Sequence, residues 1–211
     1  VGVQGTSTGL EWSCSGGLSD TTSAWFGSEG RRPAATEPTT EAAAIRYEGE
    51  SINQYFGRTA VAGDVDGDGV SDLVAGNQDE DAVYLFQGGS LASGSVASDA
   101  AMVLEGAAGS DLGSSLALLD ADGDGVLDIL AGAPSDDTEG TDVGAAYLLA
   151  GDTTGTVDAT ADADGVVYGP LSVLAGAPSG TQTAVAGGSA VGGGDINGDG
   201  YDDLLIGAKG D

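Results

Sequence analysis

The chain has 211 residues, with 34 acidic against five basic side chains, a net charge of −29 and no histidine. That balance excludes nucleic acid as a partner, since phosphate recognition needs clustered Lys and Arg, and the missing imidazole excludes Ser-His-Asp or Cys-His catalysis and histidine metal ligation. A 40% apolar content with 39 glycines excludes general disorder and points to an all-β chain of short strands and many turns.

Taken in order, residues 1–44 form an N-terminal segment. Residues 1–22 are rich in Gly, Ser and Thr, with Trp12 as the large apolar anchor. Cys14 has no internal cysteine to pair with, so it is a small buried residue or an intermolecular link. Ser23-Ala24-Trp25-Phe26-Gly27 has the pattern of two later segments, Ala82 to Gly88 and Ala145 to Gly151, which predicts an orphan strand near 24–27. Residues 28–44 are a polar connection, matched by 89–101 and 152–171, and such segments run over the surface. Each connection leads into another apolar segment, Ile45 to Gly49, Met102 to Gly106 and Ser172 to Gly176, each expected to open a repeat unit. The predicted units are 45–88, 102–151 and an incomplete 172–211. No apolar run is long enough to span a bilayer, so no membrane insertion is expected in this segment. No leader is visible, and a chain starting at Val1 is expected to be a processed or truncated piece.

One nonapeptide organises these units. Asp64-Val65-Asp66-Gly67-Asp68-Gly69-Val70-Ser71-Asp72 recurs at Asp120 to Asp128 and, with one change, at Asp195 to Asp203. Starts at 64, 120 and 195 lie 56 and 75 residues apart, so length varies in the connections rather than in the motif. Positions 1, 3, 5 and 9 carry oxygen donors, and glycine at 4 and 6 lets the backbone close tightly. Carboxylates that close oppose joint ionisation, and a hard cation such as Ca²⁺, taking six to eight oxygens, is the simplest remedy. The candidate ligands are Asp64, Asp66, Asp68 and Asp72; Asp120, Asp122, Asp124 and Asp128; and Asp195, Asn197, Asp199 and Asp203, with position-7 carbonyls from Val70, Val126 and Tyr201. About three Ca²⁺ are expected. The third loop should bind most weakly, because Asn197 offers a neutral oxygen. An Asp-Gly hairpin turn without a ligand is the plainer alternative. An EF-hand is excluded, since position 12 holds Ala75, Ala131 or Ile206 where a bidentate Glu is required. Each loop runs into an apolar segment, Leu73 to Gly76, Ile129 to Pro134 and Leu204 to Ala208, predicted as a short buried strand.

Glycine stands seven residues before each first Asp, as Phe56-Gly57, Leu112-Gly113 and Gly187-Gly188, and Gly-Ala-Pro or a relic of it follows each strand. With the D-x-D-x-D-G-x-x-D loop, this resembles the FG-GAP repeat of the integrin α-subunit β-propeller, over roughly residues 45–211. The departures are Leu112 and Gly187 for Phe, Gly76-Asn77-Gln78 and Gly207-Ala208-Lys209 for Gly-Ala-Pro, and Asn197 for Asp. The resemblance implies four-stranded propeller blades and structural calcium in the blade hairpins. It implies an extracellular or cell-surface segment acting in adhesion or as part of a surface assembly, with a protein or glycan ligand. Three units are too few to close a propeller of four to eight blades, so a larger propeller or self-assembly is expected. Two alternatives remain. One is a glycan-binding, lectin-like module with Trp12, Trp25, Tyr84, Tyr147 or Tyr201 as stacking platforms. The other is an accessory propeller of a larger extracellular hydrolase. No enzymatic activity is expected within these residues, because every well-placed carboxylate is better explained as a metal ligand.

Overall fold

The computed structural model describes residues 2–3, 11–15, 23–27, 44–48, 55–90, 94–141, 143–169 and 185–210. Among them the regular structure is nearly all strand, in four mostly antiparallel sheets stacked in chain order, with only single-turn helices between.

The first sheet after the N-terminal one runs Ala60–Gly63, Asp72–Asn77, Ala82–Phe86 and Met102–Glu105, each antiparallel to the next. The second repeats this with Ser115–Leu119, Asp128–Ala133, Ala145–Leu149 and Gly165–Tyr168. The third has two described strands, Val185–Gly194 and Asp203–Gly210, with a register shift between Gly187 and Ala190. The all-β, blade-like architecture expected from the sequence is present, and among the described residues the row of sheets does not close into a ring.

Period-two alternation decides what each strand faces. In the first sheet Leu73, Ala75, Ala82, Tyr84 and Phe86 pack with Phe56 and Tyr47 toward the N-terminal sheet. The alternate residues Val74, Val83 and Leu85 join Ile129, Ala131, Tyr147 and Leu149 of the second sheet. Leu130 and Ala146 turn the other way and meet Val191 and Ile206 of the third sheet. Because both faces are covered, Asp72–Asn77 and Asp128–Ala133 are buried along their whole length, as predicted. The third such strand, Asp203–Gly210, differs from its prediction: Leu204 and Leu205 are 37% and 50% exposed, because the described residues do not cover both of its faces.

Glycine makes the close joints between sheets. A methyl group on Gly76 would overlap the Gly113 carbonyl, and one on Gly132 would overlap the Gly188 carbonyl. Gly57, Gly113 and Gly188 adopt φ of 73°, 88° and 77°, which favours glycine. The FG glycine of one unit thus seats against the GAP glycine of the unit before it. Phe56 and Leu112 are fully buried, so Leu fills the Phe position without loss of burial.

Three expectations change. Met102–Glu105 pairs with Ala82–Phe86 and is the fourth strand of the earlier sheet rather than the opening strand of the next. Ala44–Glu48 stands in the same relation to Ser23–Gly27. The pattern of alternating residues identifies a strand but not its neighbour, and an antiparallel return to the preceding strand is the shorter path. Second, Ser23–Gly27 is no orphan: it pairs with Glu11–Ser15, which contains Cys14, on one side and with Ala44–Glu48 on the other. Third, the connections 89–101 and 152–171 are not wholly irregular. Gly94–Ser95 runs parallel to Ala44–Glu48, and Gly155–Asp158 runs parallel to Met102–Glu105. Each connection therefore reaches back to the outer edge of the previous sheet before its own unit adds a fourth strand, and a short helix follows each of these pieces, Val96–Asp99 and Ala159–Asp162. The predicted strand at Ser172 to Gly176 and the connection 28–43 lie outside the described residues.

Candidate metal centre

Each acidic loop joins the first two strands of its sheet, so all three lie on the same end of the stack. Glycines at positions 4 and 6 adopt positive φ in every copy: 75° and 86° at Gly67 and Gly69, 77° and 90° at Gly123 and Gly125, 79° and 93° at Gly198 and Gly200. That conformation turns the amides of positions 4 and 6 inward onto the first aspartate. Gly67 and Gly69 donate to the two carboxylate oxygens of Asp64 at 2.8 and 2.9 Å. Gly123 and Gly125 do the same to Asp120 at 2.8 and 3.0 Å, and Gly198 and Gly200 to Asp195 at 2.6 and 3.0 Å. In the third loop these amides hold the Asp195 carboxyl below its ordinary range, with the Gly200 amide the largest cause.

Position 5 is tied locally: Asp68, Asp124 and Asp199 accept the amides of Val70, Val126 and Tyr201 at 2.7, 2.8 and 3.0 Å. Position 9 begins the following strand and is buried in the first two loops, while Asp203 of the third is half-buried. Asp72 is fully buried and accepts from the Val65 and Gly88 amides, both at 2.8 Å. Asp128 is 8% exposed and accepts from the Ala121 amide at 3.0 Å. Burial pushes both carboxyls up, the backbone amides of Gly88 and Val65, or Ala121 and Gly151, pull them down, and the neighbouring charges of Asp66 and Asp68, or Asp122 and Asp124, push them up again.

The structure brings the predicted residues together unevenly. Carboxylate oxygens of Asp64, Asp66 and Asp72 lie within 4.8 Å of one another, as do those of Asp120, Asp122 and Asp124. Asp68 and Asp128 sit in the same loops but outside those groupings. Among the described residues the third loop forms no such group of acids. Asn197 turns its side-chain NH₂ toward Asp203 at 3.3 Å, and Asp195, Asn197 and Asp199 are all exposed. Val70 and Tyr201 are exposed at 44% and 53%, while Val126 is half-buried. The donor set of the first two loops, all oxygen and mostly carboxylate, fits a hard divalent cation.

Several residues that support the loops carry no motif signal. Gly88 follows the third strand and reaches Asp72; Gly151 stands in the same place relative to Asp128. A methyl group on either would overlap main-chain carbonyls, of Ser71 for Gly88 and of Leu127 and Val65 for Gly151. Gln87 donates to Asp66 at 3.0 Å. The glycine ending the segments Ala82 to Gly88 and Ala145 to Gly151 was the one available clue. Of the aromatic platforms considered for sugar stacking, Tyr84 and Tyr147 are 8% and 0% exposed, occupied by core packing and by hydrogen bonds to Glu80 and Asp136 at 2.9 and 2.7 Å. Burial and the Asp136 carboxylate push the Tyr147 hydroxyl well above its ordinary range. Tyr201 stays open, and the side chains of Trp12 and Trp25 lie outside the described residues.

Comparison with known proteins agrees with this geometry. Residues 64–131 match the FG-GAP-like repeat model, and residues 187–211 match the FG-GAP repeat model. Integrin alpha-PS5 of Drosophila melanogaster is 29% identical over 177 residues, covering 78% of this chain and 16% of the relative. The chain thus spans about one sixth of the length of the curated relative it matches. With Gly113 seated against Gly76 and Gly188 against Gly132, residues 64–131 and 187–211 carry FG-GAP repeats, similar to those of an integrin α-subunit.

Proposed function

We propose that the chain is a calcium-stabilised segment of an extracellular or cell-surface β-propeller, acting in adhesion or in building a surface structure, with a protein as its binding partner. Calcium would be held by positions 1, 3, 5 and 9 of each loop, from Asp64 to Asp72, Asp120 to Asp128 and Asp195 to Asp203, with position-7 carbonyls of Val70, Val126 and Tyr201 completing the shell. The observation that carries the reading is the convergence of three carboxylates within 4.8 Å in each of two loops, with the first aspartate already aimed by two main-chain amides. The acids of each loop converge on one point as ligands would, and the role we read is rigidification of one end of the sheet stack rather than catalysis. When bound, the cation supplies charge neutralisation to Asp72 and Asp128, whose ionised forms burial disfavours. The adhesive and surface role rests on similarity to an integrin α-subunit.

Calorimetry with calcium on the full chain is expected to give about three sites, the third weakest because of Asn197. Ligation by the folded state alone adds about 2.7 kcal/mol per site at a hundredfold excess over Kd, so chelation should lower Tm clearly. Asp68→Ala and Asp124→Ala should destabilise in calcium and change little in chelator. Equal destabilisation in both conditions would make these residues turn formers only, and an absence of calcium heat at millimolar concentration would overturn the reading.

A further inference from the structure

We propose that the second and third acidic loops are a coupled pair braced by Asp202, so that a cation in the third loop strengthens binding in the second while the first loop fills independently. This rests on the cation reading above and goes beyond it by assigning a positioning role to a residue outside the repeated ligand set.

The brace has two points. The Asp120 amide donates to Asp202 Oδ2 at 2.9 Å, and the Asp202 amide donates to the Asp120 carbonyl at 2.9 Å. Asp120 is the first ligand position of the second loop, and its own carboxylate is aimed by Gly123 and Gly125. The Tyr201 ring closes over that same turn: a methyl group on Gly123 would lie 2.7 Å from the ring. Two consecutive residues of the third loop therefore converge on the aspartate that opens the second. The joint between the first and second loops differs. There the position matching Asp202 is Leu127, whose side chain faces Gly63, and the position matching Tyr201 is Val126, 3.3 Å from a methyl placed on Gly67. No hydrogen bond joins Leu127 to Asp64 among the described residues.

The third loop is exposed from Asp195 to Tyr201, so a cation can reach it directly. A cation that fixes Tyr201 and Asp202 fixes Asp120 through the brace. The Asp202 carboxylate also adds negative charge beside the Asp120, Asp122 and Asp124 cluster. Such coupling is reciprocal, so filling the second loop tightens the third by the same factor.

The test uses the full chain with calcium as probe, and the second site is assigned by its loss in Asp124→Ala. Asp199→Ala, at an exposed position, disables the third loop. The second site's Kd should then rise about fivefold or more, with the first site unchanged. Asp202→Ala should weaken the second site while leaving the number of sites unchanged, and Asp202→Asn, which keeps an acceptor oxygen, should restore most of the affinity. In chelator, amide exchange at Asp120 should be faster in Asp202→Ala than in the parent chain. A second site indifferent to Asp199→Ala overturns the coupling, and unchanged exchange at Asp120 overturns the brace. A parent chain that binds no calcium overturns the cation reading itself, which the exchange measurement alone would leave standing.

Discussion

Gly132→Ala tests whether the joint between the second and third sheets is as close as the structure has it. Gly132 has no positive φ, so alanine costs nothing in backbone conformation there. Its Cβ, however, would overlap the Gly188 carbonyl and the Ser115 hydroxyl. Carbon–oxygen contacts close at about 3.3 Å, so the two main chains must separate by on the order of 1 Å, opening the apolar layer in which Leu130 and Ala146 meet Val191 and Ile206. Overpacking of this kind costs about 1–3 kcal/mol. At about 2–4 °C per kcal/mol for a chain of this size, Tm should fall by about 2–12 °C in a calcium-containing thermal melt. Gly125→Ala is the counterpart, since φ is 90° and nothing lies within 4 Å of the new methyl group; its cost of about 1–2 kcal/mol comes from the left-handed backbone alone. Adding Ser115→Ala to Gly132→Ala should not rescue stability, because the main-chain clash remains. Full rescue, or a Gly132→Ala chain as stable as the parent, would refute the glycine joint.

Other outcomes follow from the same packing. Phe56→Ala should cost about 3–5 kcal/mol by urea denaturation, because the ring is fully buried and meets Tyr84 and Phe86 edge-on at 5.9 and 6.4 Å. Tyr147→Phe should cost about 1–3 kcal/mol, since it strips a donor from Asp136, which is 1% exposed; Tyr84→Phe should cost less, because Glu80 is exposed and keeps the Asn77 amide at 2.7 Å. Gly88→Ala should weaken calcium binding at the first loop in calorimetry, whereas Gly89→Ala, whose methyl group would meet Asp68 only at an ordinary 3.5 Å, should not. The Thr160 hydroxyl and amide hold the Asp158 carboxyl below its ordinary value of 3.8. Its ionised form is thus favoured by folding, and the contribution is present above that value and lost as pH falls through the lower folded one. Asp158→Ala should accordingly lower Tm more at pH 7 than in acid below both values, in thermal melts at the two pH values.

The loops and the strands after them were legible because their information is local. Fixed spacing of Asp and Gly dictates the turn, and the apolar runs Leu73 to Ala75 and Ile129 to Ala131 have to be buried. What stayed hidden depends on neighbours far along the chain. Met102–Glu105 reads equally well as a first or a fourth strand, because its alternation is the same on either side. Gly155–Asp158 and Gly94–Ser95 are short, polar and held by main-chain pairing, so their side chains give no signal. Gly88, Gly151 and Asp202 reach the loops across gaps of 16 residues or more in sequence, and only folding shows which aspartate each one serves. The third loop has nearly the same motif as the others yet gathers no group of three acids, because Asn197 stands where the first two loops present a carboxylate.

The back-reaching strands bear on how the array is made. Met102–Glu105 gains its outer partner, Gly155–Asp158, only after the second unit's first three strands have been synthesised, and Ala44–Glu48 waits in the same way for Gly94–Ser95. An emerging chain therefore leaves the fourth strand of its newest finished unit without an outer partner until the next unit supplies one. Unpaired edges invite pairing with other chains. A pause in synthesis before Gly155–Asp158 emerges should prolong that exposure, and truncation ahead of Gly155 should leave Met102–Glu105 without its outer strand altogether.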